Sequence, residues 1–375
     1  MKAIWIVAAG MLAFAAHAQQ TVFMPIVIEV SGAGAVSGTN FRDGALMAID
    51  EVNAKGGILG RRINAPVSDT QSNPGISRAQ VQKAIDGNPY VILGPVFSGS
   101  VKVNMLLAQA AEIPQFTGAE AAEITQMGND WIFRTSFGQQ MSMPKMAAFV
   151  ASGMKAKTVA FLWVNNDYGK GGRDVFFKEM AARNIKIVAD VSTESGQVDF
   201  AADIVRMKAS NADVMFIYTN EEECARVLRE ARKQGVKQPI IGETNVISQK
   251  VIDLAGETAE GVKGHVGLTA DAPIPAVQAF TDRFQKRYKY VPDHNGIKGY
   301  TAVYAVKHAT EKLGKFDNKA LGKLMKGLTI KPEQEPGILM ETTWDARGDI
   351  DRISFLVEVA KGRQKVVEIL PKLGK

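Results

Sequence analysis

The sequence predicts an α/β fold of parallel sheets flanked by helices, divided between two domains. Three observations predict it. Short β-rich apolar runs alternate with amphipathic helical stretches from start to finish. The chain has 375 residues, enough for two cores at roughly 150 residues per domain. Its single cysteine, Cys224, leaves no internal disulfide to replace packing.

The first strand is expected over residues 23–30. Phe41, Ala45, Ile49 and Val52 then fall on one helical stripe, which Gly56-Gly57 stops. In Ser72-Asn73-Pro74 a capping side chain precedes a proline at the first helical position, opening a helix towards Ile85. Further strands are expected at 90–93, 115–117, 158–164, 186–191, 213–218 and 239–241. Two runs of this alternation join near residues 137–140, where the sequence turns polar ahead of a helix from Met141. Composition changes again over 264–269. Helices from Ala276 and Gly296 follow with no strand between them, and strands at 353–359 and 364–369 close the chain. Such a tail suits a chain that crosses between domains more than once.

At the N-terminus Lys2 precedes an apolar run over residues 3–16, and Ala16-His17-Ala18 stands before Gln19. This is the pattern of a secretory signal cleaved after Ala18. The run is too short for a membrane span, and no later stretch of about 18 apolar residues occurs, so the exported chain is expected to be soluble and periplasmic. The formal charge of +6 becomes +5 without Lys2. That excess is spread along the chain, and aromatics make up 7%. Neither the clustered charge nor the stacking surface of a nucleic-acid binder is present.

Gly32-Ala33-Gly34 with Gly38 approaches a dinucleotide fingerprint, but its third glycine comes one position late, and a flexible strand-to-helix loop accounts for it. Ser152 and Lys155 match an acyl-enzyme signature whose other parts are missing. No nucleophile elbow and no metal-binding histidine pair occurs, and His265, His294 and His308 make no metal cluster by spacing. The chain is therefore expected to be no enzyme and to need no cofactor or metal.

Open α/β sheets bind ligands at the carboxyl ends of their strands. The loops expected there are 31–39, 69–73, 94–99 and 117–121 in the first half, and 165–169, 219–222 and 243–246 in the second. Ser98, Ser100 and the backbone amides opening the next helix suit a ligand carboxylate, although Ser98 equally suits a plain helix cap. Tyr168, beside Gly169 at a strand-to-helix turn, can cover a ligand or cap a surface helix. Glu120, Glu221 and Glu243 end three separate loops, where each can meet a ligand ammonium or stay a solvated charge.

Several of these segments resemble one family. They are Phe41-Arg42-Asp43-Gly44-Ala45 running to Glu51-Val52-Asn53-Ala54-Lys55-Gly56-Gly57-Ile58-Leu59-Gly60-Arg61, Asp69 with Pro74, residues 94–100, Asp167-Tyr168-Gly169 and Gly299-Tyr300-Thr301-Ala302. Together they are similar to the branched-chain amino-acid-binding (Leu/Ile/Val-binding) family of ABC-transporter periplasmic solute-binding proteins, over essentially the whole exported chain. The resemblance implies two Rossmann-like lobes of the type I periplasmic binding fold, joined by a three-segment hinge. It divides the chain into lobe 1, residues 19–138 plus 268–343, and lobe 2, residues 139–267 plus 344–375.

By the same resemblance, Ser98 and Ala119 match the residues that hold the ligand carboxylate, and Tyr168 matches a tyrosine closing from the second lobe. Glu120 stands where the family has a threonine. The family's ammonium-binding glutamate aligns with Thr244, next to Glu243, and an expected tyrosine is Asn220 or Glu221. The implied function is a monomeric receptor that closes over an amino acid or a related small polar metabolite and delivers it to membrane permease subunits. Two alternatives stand beside it: an amine-free aromatic or keto acid or an amide as ligand, and an exported sensor subunit in place of a transport receptor.

Overall fold

The computed structural model describes residues 20–374. The expected export signal and its cleavage point after Ala18 lie outside them. The strand expected over 23–30 is broken in two. β1 (Thr21–Phe23) runs parallel to β3 (Arg62–Asn64) in a small separate sheet, and β2 (Ile26–Ile28) enters the first large sheet. The break falls at Met24-Pro25, where proline has no amide hydrogen to give a ladder.

The first large sheet adds β4 (Val67–Asp69), β5 (Ile92–Leu93), β6 (Gln115–Thr117) and β7 (Ile132–Arg134), in the order β4-β2-β5-β6-β7 with every pair parallel. β3, β4 and β7 escape a reading of hydropathy because each has three residues and at least one charge. Arg134 is moreover a charged residue fully buried within a strand.

The second sheet contains β8 (Thr158–Val164), β9 (Lys186–Thr193), β10 (Val214–Tyr218), β11 (Ile240–Gly242), β12 (Lys263–Val266), β16 (Ser354–Ala360) and β17 (Arg363–Leu370). Their order is β17-β16-β12-β11-β10-β8-β9. The core is parallel, and the late pair β16 and β17 joins it antiparallel at one side. β12 lies where composition changes, because its polar Lys263 and His265 occupy pairing positions of the sheet, the histidine buried and the lysine half-buried.

Between the sheets the chain crosses three times: from β7 to α4 (Gln139–Ala148), from β12 to α9 (Pro275–Tyr288), and from β15 (Ile350–Asp351) to β16. β13 (Thr329–Ile330), β14 (Thr342–Trp344) and β15 make a small antiparallel sheet against β7, where Trp344 Nε1 donates to the Arg134 carbonyl at 2.8 Å. The division expected between 343 and 344 thus falls inside β14. The crossing itself is polar. Arg134 pairs with Asp349 at 2.5 Å and donates to the carbonyls of Ala119 and Ala121, while Thr125 and Gln140 also bond Asp349.

On the first sheet, α1 (Ala35–Ala54) packs along α10 (His294–Leu313). A Cβ on Gly44 would stand 1.9 Å from the Gly296 carbonyl oxygen, and one on Gly299 would stand 2.0 Å from that of Phe41. Glycine at both places lets the two backbones touch, and this contact sets where the N-terminus of α10 points. Gly38 has a similar role. Its Cβ would meet the Glu29 carbonyl oxygen at 1.8 Å, so the glycine pattern of this loop serves helix-on-strand packing. Among the described residues no helix is long and apolar enough to cross a membrane. Ser152 and Lys155 are both exposed.

Candidate functional site

The carboxyl ends of the two sheets face each other across a cavity of about 280 Å³. Its floor on the first sheet's side is the start of α3 (Ser98–Ala110). That start is braced from behind by Glu29, a fully buried carboxylate at the end of β2 that accepts from the amides of Val96 at 3.0 Å and Phe97 at 3.2 Å. Burial pushes the Glu29 carboxyl up to about 7 despite these bonds.

Ser98 and Ser100 both line the cavity and are almost fully buried. Ser98 makes no helix-cap bond; its Oγ accepts from the Ala121 amide at 3.1 Å and so ties α3 to the loop after β6. The Ser100 hydroxyl has no partner. Ala119 does not face the cavity. Its amide donates to Thr117 Oγ1 at 3.1 Å, and its carbonyl accepts from Arg134 at 2.5 Å and from Ser136 at 3.0 Å. Its polar atoms are held in the loop's own bonding.

Glu120 reaches the cavity and meets Lys298 of α10 at 2.6 Å. Burial raises its carboxyl above the usual range, and the Lys298 charge opposes that rise. Lys298, His294 and Asn295 all line the cavity from the first turns of α10. The sequence reading missed them, as it missed Ser37 of α1. The available signal was Asp293, His294, Asn295 and Lys298 as polar positions opening an otherwise apolar helix. Lys298 also donates to the Gly118 carbonyl and to Asn295 Oδ1, each at 3.2 Å. Asn295 Nδ2 is buried without a partner.

From the second sheet come the starts of α5 (Asp167–Ala182) and α7 (Glu221–Lys233). The Tyr168 ring lies in the cavity wall and stacks on Tyr218, with centroids 4.3 Å apart and planes at 26°. Its hydroxyl is buried without a partner, and burial holds it far above the usual phenol range. Gln139, in the first crossing, donates to the Tyr168 carbonyl at 2.7 Å and to the Tyr218 hydroxyl at 2.8 Å, so the crossing itself positions this wall.

Glu221 lines the cavity and accepts from the hydroxyl of Ser37 on α1, a bond that bridges the two sides. Burial raises its carboxyl, and the Ser37 bond resists. A second bridge, Lys102 to Asp167 at 2.7 Å, closes the rim. One turn further along α7, the fully buried Cys224 donates to the Thr219 carbonyl at 3.5 Å, and burial raises its thiol well above the usual value.

Glu243 and Thr244 are set behind the cavity; Asn245 lines it in their place. Glu243 lies 2.5 Å from His265 Nδ1 and accepts from both the amide and the hydroxyl of Thr244. Burial acts to raise its carboxyl, but the His265 charge and these bonds together bring it below the usual value.

A family model described as periplasmic binding protein matches residues 21–364. The leucine-, isoleucine-, valine-, threonine-, and alanine-binding protein of Pseudomonas aeruginosa is 26% identical over 344 residues, covering 91% of this chain and 90% of that one. Among solved structures, the leucine binding protein LivK of Thermotoga maritima aligns with a TM-score of 0.86 at 22% identity, covering 94% of this chain and 99% of that one. A solute binding protein of an ABC transporter from R. palustris, in complex with benzoate, aligns with a TM-score of 0.86 at 20% identity, covering 95% and 98%.

Proposed function

The chain belongs to the periplasmic binding protein family, a family of solute-binding proteins and not of enzymes, and from that premise we propose that it is the receptor of an ABC importer for a small carboxylate-bearing solute. One observation carries the choice of site: a cavity between the strand ends of both sheets, lined by Ser100 and Asn295, each of which has a buried polar side-chain atom without a partner. Buried polar groups are ordinarily satisfied, so unpaired ones in an enclosed cavity match a ligand that completes them.

The solute's carboxylate meets the α3 N-terminus, where Ser98, Ser100 and the first amides of the helix offer donors and positive potential. Tyr168 covers it from the other side. The two lobes meet at the three crossings, near residues 135–139, 267–274 and 351–354, and closing about them excludes water, which strengthens each polar contact. The closed form, a monomer exported to the periplasm by removal of residues 1–18, is the one that membrane permease subunits receive.

The test is thermal unfolding of the exported chain, first unfolded and refolded to strip any carried solute, against amino acids, amides, aromatic acids and keto acids. A solute held only by the folded state at 100 times its Kd stabilises by about 2.7 kcal/mol. The reading requires such a shift with at least one carboxylate solute, and Ser100→Ala and Tyr168→Ala must reduce it. A panel without any shift would remove it.

A further inference from the structure

At the mouth of the cavity two carboxylates share one lysine. Lys102, in the second turn of α3, meets Glu123 at 2.8 Å and Asp167 at 2.7 Å. Glu123 belongs to the short helical turn Ala122–Thr125 that follows β6, on the same side of the cleft as α3. Asp167 is the first residue of α5, on the opposite side, which the chain enters only at the crossing from β7 to α4. Rotation of the two sides about the crossings therefore leaves the Glu123 contact intact and breaks the Asp167 contact. Lys102 is 27% exposed, Glu123 63% and Asp167 41%, so whichever carboxylate is released finds water.

Neither arrangement strands a charge. With the sides apart, Lys102 keeps Glu123, and Asp167 remains at a helix start, where a carboxylate is favoured. With the sides together, Asp167 comes up against the start of α3: a Cβ on Gly99 would stand 3.0 Å from its Oδ2, so the glycine makes room for it. One positive charge then serves two negative ones, and the two carboxylates repel each other across it. We propose that Lys102 is a swivelling latch of the cleft, in which Asp167 draws the two sides together and Glu123 competes for the same ammonium and keeps closure reversible. Closure gains only the difference between a shared and an unshared ion pair, so the closed form is favoured weakly at the rim and the solute contacts inside decide the balance. Release of the solute begins as Lys102 returns wholly to Glu123. This inference rests on the receptor reading above, which supplies a solute to hold and release.

Substituting the two acids separately tests it, because the proposal gives them opposite signs. Gln109→Cys and Lys178→Cys, at exposed positions towards the far ends of α3 and α5, carry a donor and an acceptor fluorophore, while the buried Cys224 stays unlabelled. Single-molecule energy transfer in the refolded, solute-free exported chain then reads the ratio of closed to open molecules. Glu123→Gln should raise that ratio and Asp167→Asn should lower it. Lys102→Met leaves the two carboxylates facing each other and should lower it furthest. Each change should amount to up to about fivefold, the range of exposed ion pairs, and the order should collapse in high salt. A ratio that falls or stays the same in Glu123→Gln overturns the inference, since Glu123 would then not compete. One unvarying distance in the wild type and all three variants overturns it as well. Both failures leave the receptor reading to the solute panel, and a panel without any shift removes that reading while the order of the variants still decides this one.

Discussion

Two buried polar clusters, some of whose loops they share, differ in whether they are finished. At the crossing between the sheets, Arg134, Asp349 and Thr125 satisfy one another and the carbonyls of Ala119 and Ala121, and Gln140 adds a bond to Asp349 while its own Oε1 has no partner. Around the cavity, Ser100 Oγ, Asn295 Nδ2 and the Tyr168 hydroxyl have no partner, and Glu221 has no cation within ion-pair distance. The charges of the first cluster are matched without any other molecule, so it belongs to the fold. The second is complete only around something else. A missing partner marks a recognition residue here only where it coincides with the cavity, since Gln115 Oε1, Gln140 Oε1 and Arg352 Nε are also unpartnered and do not line it.

The largest expected effect lies in the finished cluster. Arg134→Met leaves Asp349 buried without its cation and frees two loop carbonyls; it should destabilise the unliganded protein by about 3–5 kcal/mol in urea denaturation. A loss below about 1 kcal/mol would break the comparison, because the cluster would then not be holding the crossing together.

The next effect is a pH slope at the floor of the cavity. Glu29 is raised from 4.5 to about 7 in the folded chain. Between those values the folded state binds more protons than the unfolded one, so stability should fall as pH rises from about 4.5 to 7, by about 2–3 kcal/mol from this group. Asp293, also raised to about 7 by burial, adds in the same direction. Glu29→Gln should flatten the slope measured by denaturation at several pH values; an unchanged slope would show that Glu29 does not titrate there.

Smaller effects sharpen the contrast. Lys102→Ala, at the rim, should change stability by less than about 1 kcal/mol, and that change should vanish in high salt. Ser100→Ala should leave the unliganded protein within about 1 kcal/mol of wild type, since it removes a hydroxyl that bonds nothing, while weakening the solute found in the panel. A large stability loss from Ser100→Ala would place that residue with the finished cluster.

Much of this was legible in the sequence. The long strands 158–164 and 213–218 and the Asn73-Pro74 helix start follow from local pattern and capping. The three-residue strands β3, β4 and β7 do not, because a charged residue, Arg62, Asp69 or Arg134, interrupts so short an apolar run. Ser98, Ser100, Glu120, Tyr168 and Glu221 could be located on strand-end loops without coordinates. What no local pattern conveys is which of these groups is already occupied. Lys298 is 178 residues from Glu120, and only the Gly44 and Gly299 backbone contact brings α10 close enough to neutralise it. Ala119, Glu243 and Thr244 likewise sit in the right loops but are turned to bonds within the protein.

The lone thiol of Cys224 sits one helical turn from Glu221, sealed beneath α7 with its ionisation suppressed. Only the thiolate attacks alkylating reagents, so labelling must wait for this part of α7 to lift away from its sheet. The labelling rate of the native chain is therefore a built-in clock for local opening beside the cavity. A solute that bridges Glu221 to the facing side should slow that clock, with no engineered probe.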